Sequence, residues 1–320
     1  MLIDRLTPNR VRRTGDDSPV PTVFHYAMRI GGRHQIFISL LALLVAGLTL
    51  LPLELQRRIV NNAIDSQDVD LLLWLGVIYL AVVLTQSACK FLLRMYQSWL
   101  SESATLYTRK HLAEIRAKSH SDEQGSEGRT VAVLGAEVDR LGGFVGEGIS
   151  QPIADLAVLL SVITYMLIVE PLVALLALAF LVPQALLVPF LQRAINRLVE
   201  HRLSLLRSVS DVVAQQEERG WEPESQILTS RLTAIYKNRM KTFLVKFALK
   251  AANNILTALA PLGVLLVGGY FVILGETSLG VVVAFMSGFD RMASPLRELM
   301  AYYRMAAQAN VQHAMIARWM

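Results

Sequence analysis

Charged and amide side chains that interrupt long apolar runs are the residues here with chemistry to offer. Lys246 and Lys250 stand one helical turn apart, followed by Asn253 and Asn254. On a helix lining a water-filled cavity the two lysines would hold an anionic or amphipathic molecule; at the inner end of a span they would instead snorkel to lipid headgroups. Neighbours on a helix point about 100° apart, so at most one of the two asparagines shares the lysines' surroundings. Asp290 and Arg291 lie in another apolar run, where facing lipid is costly, and belong either to inner-end packing of a helix bundle or to a substrate path. Lys90 and Arg94, like charges at i and i+4, share a face without stabilising each other. They are placed at the membrane boundary rather than in a cavity, and Asp155 is an acid that could neutralise one of them. Asp155, Asp290 and Glu54 are also the candidates for a protonatable group inside the apolar runs.

Other chemistries lack their residues. The six histidines show no HExxH or clustered spacing for a metal. Cys89 is the single cysteine, so no internal disulfide can form. "LGGFVGEG", with Gly142, Gly143, Gly146 and Gly148, has no lysine and runs into an apolar block, which reads as a flexible or closely packed helix rather than a phosphate loop. The net charge of +5 comes from basic bands beside apolar blocks, which fits anionic lipid headgroups, and no aromatic-plus-basic pattern points to nucleic acid.

The elements that must position these groups are membrane spans. Of the 320 residues 53% are hydrophobic and only 18% charged, below the roughly 25% charge of soluble domains. The apolar residues form blocks long enough to cross a bilayer. Six spans are expected, at about 36–56, 69–94, 150–169, 171–191, 245–274 and 279–301, after an N-terminal tail over 1–20. Glu170 and Pro171 divide spans three and four by a tight turn, "QRRIVNNAIDSQD" is a polar connection after span one, and "GETS" (Gly275 to Ser278) joins spans five and six. The tail through Arg33 carries six arginines, the segment from Ser87 to Ser150 eight basic residues, and that from Gln192 to Lys250 eleven. The turns after spans three and five carry none, so both termini and both long connections are expected in the cytoplasm.

Those long connections continue their spans without a break. A helix from Val69 to Lys118 would be about 75 Å long, and Leu191, Ile195, Leu198, Leu205, Val209 and Val212 keep helical spacing beyond span four. Each rod ends in a helix-breaking patch, "SDEQGSEGR" or "ERGWEPES", before another helix returns. Tips set that far out are placed to be pushed.

This layout, with "LLPLELQRRIVNNAID" and "VGGYFVILGETSLGVVVAFMSGFDRMASPLREL", resembles the transmembrane domain of ABC exporters of the type-1, six-span kind, over about residues 20 to 318 and with the domain itself at 21–320. The fold class the resemblance implies is an all-α membrane protein of six transmembrane helices, with long cytoplasmic extensions and coupling helices. It places a first coupling segment at Glu127, Arg129 and Thr130, with Asp139 as the acid that follows, and a second at Glu217, Glu218, Gly220, Trp221 and Glu222. It also implies a second transmembrane half, identical or similar, a lipid setting in a bacterial inner membrane, and a nucleotide-binding ATPase domain or subunit that carries ATP and magnesium. No GxxxxGK[ST] phosphate loop occurs in the sequence, since Lys118-Ser119 and Lys241-Thr242 lack the glycines. Neither cofactor nor metal is therefore assigned to this chain, which is not expected to hydrolyse ATP alone. "NVQHAMIARWM", ending at Met320, is read as the inner extension of span six, with the engine on another chain or in a missing C-terminal domain. The alternatives are an ion-gradient-driven transporter of similar fold and a non-transporting structural membrane subunit.

Overall fold

The computed structural model describes residues 7–9, 11, 20–118, 138–219 and 226–319. Among the described residues the regular structure is helical throughout, with no β-strand: α1 (Val23–Gly31), α2 (Arg33–Leu48), α3 (Leu51–Arg58), α4 (Val69–Lys118), α5 (Val138–Glu147), α6 (Ser150–Val169), α7 (Pro171–Arg219), α8 (Gln226–Ile273) and α9 (Leu279–Trp319).

Breaks between helices follow local chemistry. Thr22 caps α1 by accepting the His25 N–H, and Val23, Ala27 and Ile30 form its buried stripe. Gly32, at φ +49, ends it in a backbone that side chains resist. Beyond Gln35 α2 is apolar on nearly every side, with Ile38, Ala42 and Val45 turned to the core and Ile36, Phe37, Leu40 and Leu44 exposed. Pro52 opens α3, because a proline lacks the N–H that would continue α2's ladder. At the next turn Glu170 is extended and Pro171 begins α7, as expected from the residue pair. Gly275, at φ +76, turns α8 into α9.

The segment read as a polar connection after span one is helical instead. α3 runs into a π-helical stretch, Ile59–Ile64, with bonds from Asp65 N–H to the Val60 carbonyl and from Asp68 N–H to the Ala63 carbonyl. Gln56 donates to the Tyr79 hydroxyl of α4, and Asn61 bonds Ser278 and the Gly280 N–H at the start of α9, which is why polarity alone misread it. α4 has the expected limits and 50 residues. At about 1.5 Å per residue it is more than twice a bilayer's hydrocarbon thickness.

Four helical stretches are long and apolar enough to cross a membrane: Arg33–Ile64, Val69–Ile115, Val138–Val169 and Gln226–Ile273. The expected fourth and sixth spans fall short of that standard. The apolar stretch Pro171–Pro183 at the start of α7 is short, and Asp290 and Arg291 interrupt the apolar part of α9. The supported architecture is an all-α protein with four such helices and long helical extensions.

The chain forms two units, residues 1–171 with 269–320, and residues 172–268. In the first, α1, α2, α4, α5, α6 and α9 share a core that includes Ile38, Leu100, Leu112, Leu141, Phe144 and Ile316. α5 lies close on α4 because its glycines leave room: a Cβ at Gly146 would stand 2.5 Å from the Gln97 carbonyl oxygen, and one at Gly142 would stand 3.0 Å from that of Ser101. The outward side of α4 carries Leu73, Trp74, Val77, Leu80 and Leu84, a large apolar surface suited to lipid. In the second unit α7 and α8 touch where Gly263 meets the Phe180 ring.

Candidate functional site

Within the first unit a cavity of about 360 Å³ opens between four helices. α2 and its end supply Val45 and Thr49, α4 supplies Lys90 and Arg94, α6 supplies Gln151 and Asp155, and α9 supplies Asp290, Arg291 and Glu298. Lys90 and Arg94 are four residues apart, as are Gln151 and Asp155, and Arg291 and Glu298 are seven apart, so α4, α6 and α9 each turn a polar or charged face to the same space.

Three cations and three carboxylates line this cavity, yet they are not matched pairwise. Among the described residues the only ion pair made by a lining group is Arg94 to Glu147, at 3.5 Å and largely exposed. Asp155 is 6% exposed, and both its oxygens accept hydrogen bonds from the Gln151 amide, at 3.0 and 3.1 Å. A buried carboxylate served by a neutral amide is costly in a span.

Asp290 and Arg291 both line the cavity. Lys90 and Arg94 line it as well, on a face of α4 turned toward α6 and α9. Asp155 makes no ion pair with either cation among the described residues. Glu298 was missed, although it lies seven residues after Arg291, two turns along one helical face. Lys246, Lys250 and Asn254 are exposed on α8 in the second unit, and Asn253 is half-buried there.

A second polar cluster sits at the α3 end of the same unit. Glu54 accepts from Arg57 Nε and Nη2 at 2.9 and 2.7 Å, from Arg58 Nε at 2.7 Å, and from the Tyr165 hydroxyl at 3.1 Å. Nearby, the Asn61 amide donates to Ser278 Oγ at 2.7 Å and accepts the Gly280 N–H at 2.8 Å, capping α9 from another element. A Cβ at Gly280 would lie 2.5 Å from the Arg57 carbonyl oxygen, so only glycine permits this approach.

Of the coupling positions, Asp139 lies in the first turn of α5 and is bound by Arg109 of α4, Nη2 to Oδ1 at 2.7 Å. Glu127, Arg129, Thr130, Gly220, Trp221 and Glu222 lie outside the described residues, and Glu217 and Glu218 close the helical run of α7. No group of three or more metal-binding side chains occurs among the described residues.

The family model of the ABC transporter transmembrane region matches residues 36–216. A Bacillus subtilis (strain 168) protein, YgaD, provisionally named a multidrug export ATP-binding/permease protein, is 22% identical over 288 residues, covering 83% of this chain and 49% of that protein. The chain thus spans about half the length of this curated relative.

Proposed function

Since the chain belongs to the family of ABC transporter transmembrane regions, we propose that it is the membrane-spanning part of an ATP-driven exporter that moves an amphipathic substrate by alternating access. One observation carries the reading beyond the family: a cavity lined by six charged side chains with the Asp155 carboxylate buried among apolar helices, and a buried carboxylate in a span costs stability and so argues for a ligand path. In this proposal α7 and α9 supply the fourth and sixth spans, with both termini and the helical extensions in the cytoplasm. Charged helices are tolerated as spans when their charges face a bundle interior.

The engine is a nucleotide-binding ATPase domain or subunit carrying ATP and magnesium, in keeping with the ATP-binding/permease name of the longer relative. It engages Glu127, Arg129, Thr130 and Asp139 at one tip and Glu217, Glu218, Gly220, Trp221 and Glu222 at the other. A second transmembrane half completes the transporter, and its closure and opening move rigid helix groups. Lys246, Lys250 and Asn253 or Asn254 contribute from α8 to the substrate path.

The test is transport in sealed vesicles holding the chain with its ATPase. ATP-dependent uptake into inverted vesicles that stops when Glu217, Glu218 and Glu222 are replaced by alanine supports the exporter. Uptake driven by a proton gradient without ATP and abolished by Asp155→Asn would instead establish the ion-driven alternative, which the buried Asp155 favours.

A further inference from the structure

We propose that the cavity of the first unit is closed toward the α3 end of the bundle by a dry layer, and that the hydrogen bonds of Glu54 and Asn61 are the latch that holds this layer shut. The layer is Leu53 of α3, Val162 and Met166 of α6, and Phe285, Gly288 and Phe289 of α9. Three helical runs carry the same order of residues. From Thr49 at the cavity the next turn brings Leu53, and the one after it Arg57; from Asp155 and Val158, α6 continues to Val162 and Met166 and ends at Glu170. From Ser294 and Arg291, α9 runs back through Gly288 and Phe285 to Gly280. The five side chains of the layer are at most 2% exposed. They close around Gly288, whose Cβ, if it had one, would stand 3.4 Å from Val162 Cγ1 and 3.7 Å from Leu53 Cδ1 and Met166 Sδ. An ion or polar head crossing such a layer would lose its hydration with nothing to replace it.

Apolar contact does not by itself decide how firmly the layer stays shut; the polar links beyond it do. α6 and α9 are tied to each other at this end, where Thr277 Oγ1 donates to Glu170 at 3.2 Å. Three more bonds tie α3 and the π-helical stretch to that pair: the Tyr165 hydroxyl to Glu54 at 3.1 Å, the Asn61 amide to Ser278 Oγ at 2.7 Å, and the Gly280 N–H to Asn61 at 2.8 Å. All are only part-buried. Water therefore takes over each group when its bond breaks, and the closure is reversible. Parting α3 from α6 and α9 breaks three bonds and splits the layer, and the π-helical stretch, a place where helices kink, supplies the joint.

Calling this the outer closure of a transport cavity rests on the orientation and alternating access proposed above, so the test reads access directly and without ATP. In the full chain carrying Cys89→Ala, Ser294→Cys puts a thiol on the cavity wall. A membrane-impermeant thiol reagent is applied to sealed vesicles from the side on which Glu276→Cys reacts, and modification of each site is followed by peptide mass. Ser294→Cys is expected to react at least about tenfold more slowly than Glu276→Cys, because the closed form outweighs the open one. Asn61→Ala with Tyr165→Phe is expected to raise that slow rate about tenfold, by weakening the closed form alone. Asn61→Cys and Ser278→Cys, oxidised to a disulfide in a Tyr165→Phe chain, should return the rate to its slow value, and reductant should release it; a variant that had merely unfolded would not respond in this way. Reaction of Ser294→Cys as fast as Glu276→Cys overturns the dry layer, and a slow rate untouched by the paired Asn61 and Tyr165 substitutions overturns the latch. The side is defined by Glu276, so an inverted insertion removes the proposed orientation and leaves the closure standing. Latch-dependent closure in a chain that shows no ATP-driven transport likewise supports the closure and removes the exporter reading alone.

Discussion

Glu54 shows what single residues contribute in this bundle. One carboxylate, 26% exposed at its side chain, accepts from two arginines and a tyrosine. Glu54→Gln keeps the shape but removes the charge, and is expected to lower stability by about 1.5–3 kcal/mol, with Tyr165→Phe costing about 1 kcal/mol; thermal denaturation in micelles measures both. His313 tests burial of a base outside the spans. Half-buried, its ring meets Tyr26 edge-on at 5.8 Å, while the Tyr26 hydroxyl pairs with Thr108. Burial lowers the pKa of His313 from its ordinary 6.5, so the unfolded chain takes up the proton first as pH falls. Stability should therefore decline as pH drops below about 6.5 toward the lower folded value, and His313→Phe should flatten that decline in melts run from pH 7.5 to 5. Each of these residues was visible in the sequence as a charge or a ring in an apolar setting. Their partners were not, since Glu54 and Tyr165 are far apart in the chain and no spacing rule joins them.

At the scale of elements, two close approaches rest on glycine. Gly142 and Gly146 are four apart, so both face α4, where Ser101 and the Gln97 carbonyl leave no room for a Cβ. Gly146→Leu should lift α5 from α4 and cost about 1–3 kcal/mol, the usual range for overpacking, read as a lower melting midpoint. Asn61→Ala removes both hydrogen bonds to the start of α9 and should free that end to fray, seen as faster amide exchange at Val281 and Val282, whereas a change at the opposite end of α9 would contradict the capping role. The glycine run was legible as close packing, because helical spacing fixes its face. The π-helical stretch was not: hydropathy reads Asn61 and Asn62 as loop, and only the neighbouring helix supplies Asn61's partners.

For the whole molecule the open quantity is orientation. Single cysteines at Glu276 and at Gln308, introduced after Cys89→Ala, should label from opposite sides of the membrane with an impermeant reagent, Glu276 from outside and Gln308 from within; equal labelling from one side would break the proposed six-span path. The basic bands argue for that path because translocating Lys and Arg near span ends is disfavoured.

Sequence alone determined that the chain is helical and membrane-embedded, because the bilayer forces backbone polar groups into helices and makes apolar length visible. It also determined the reach of α4, whose 50 residues follow from an uninterrupted run without Pro or Gly breaks after Gly76. What only the tertiary structure decided is which charges meet. Lys90, Asp155 and Arg291 come from three helices, and a shared cavity depends on the rotation of each helix about its own axis. That rotation is set by packing of the kind seen at Gly142 and Gly146, a relation between residues of different elements that no single run of sequence contains.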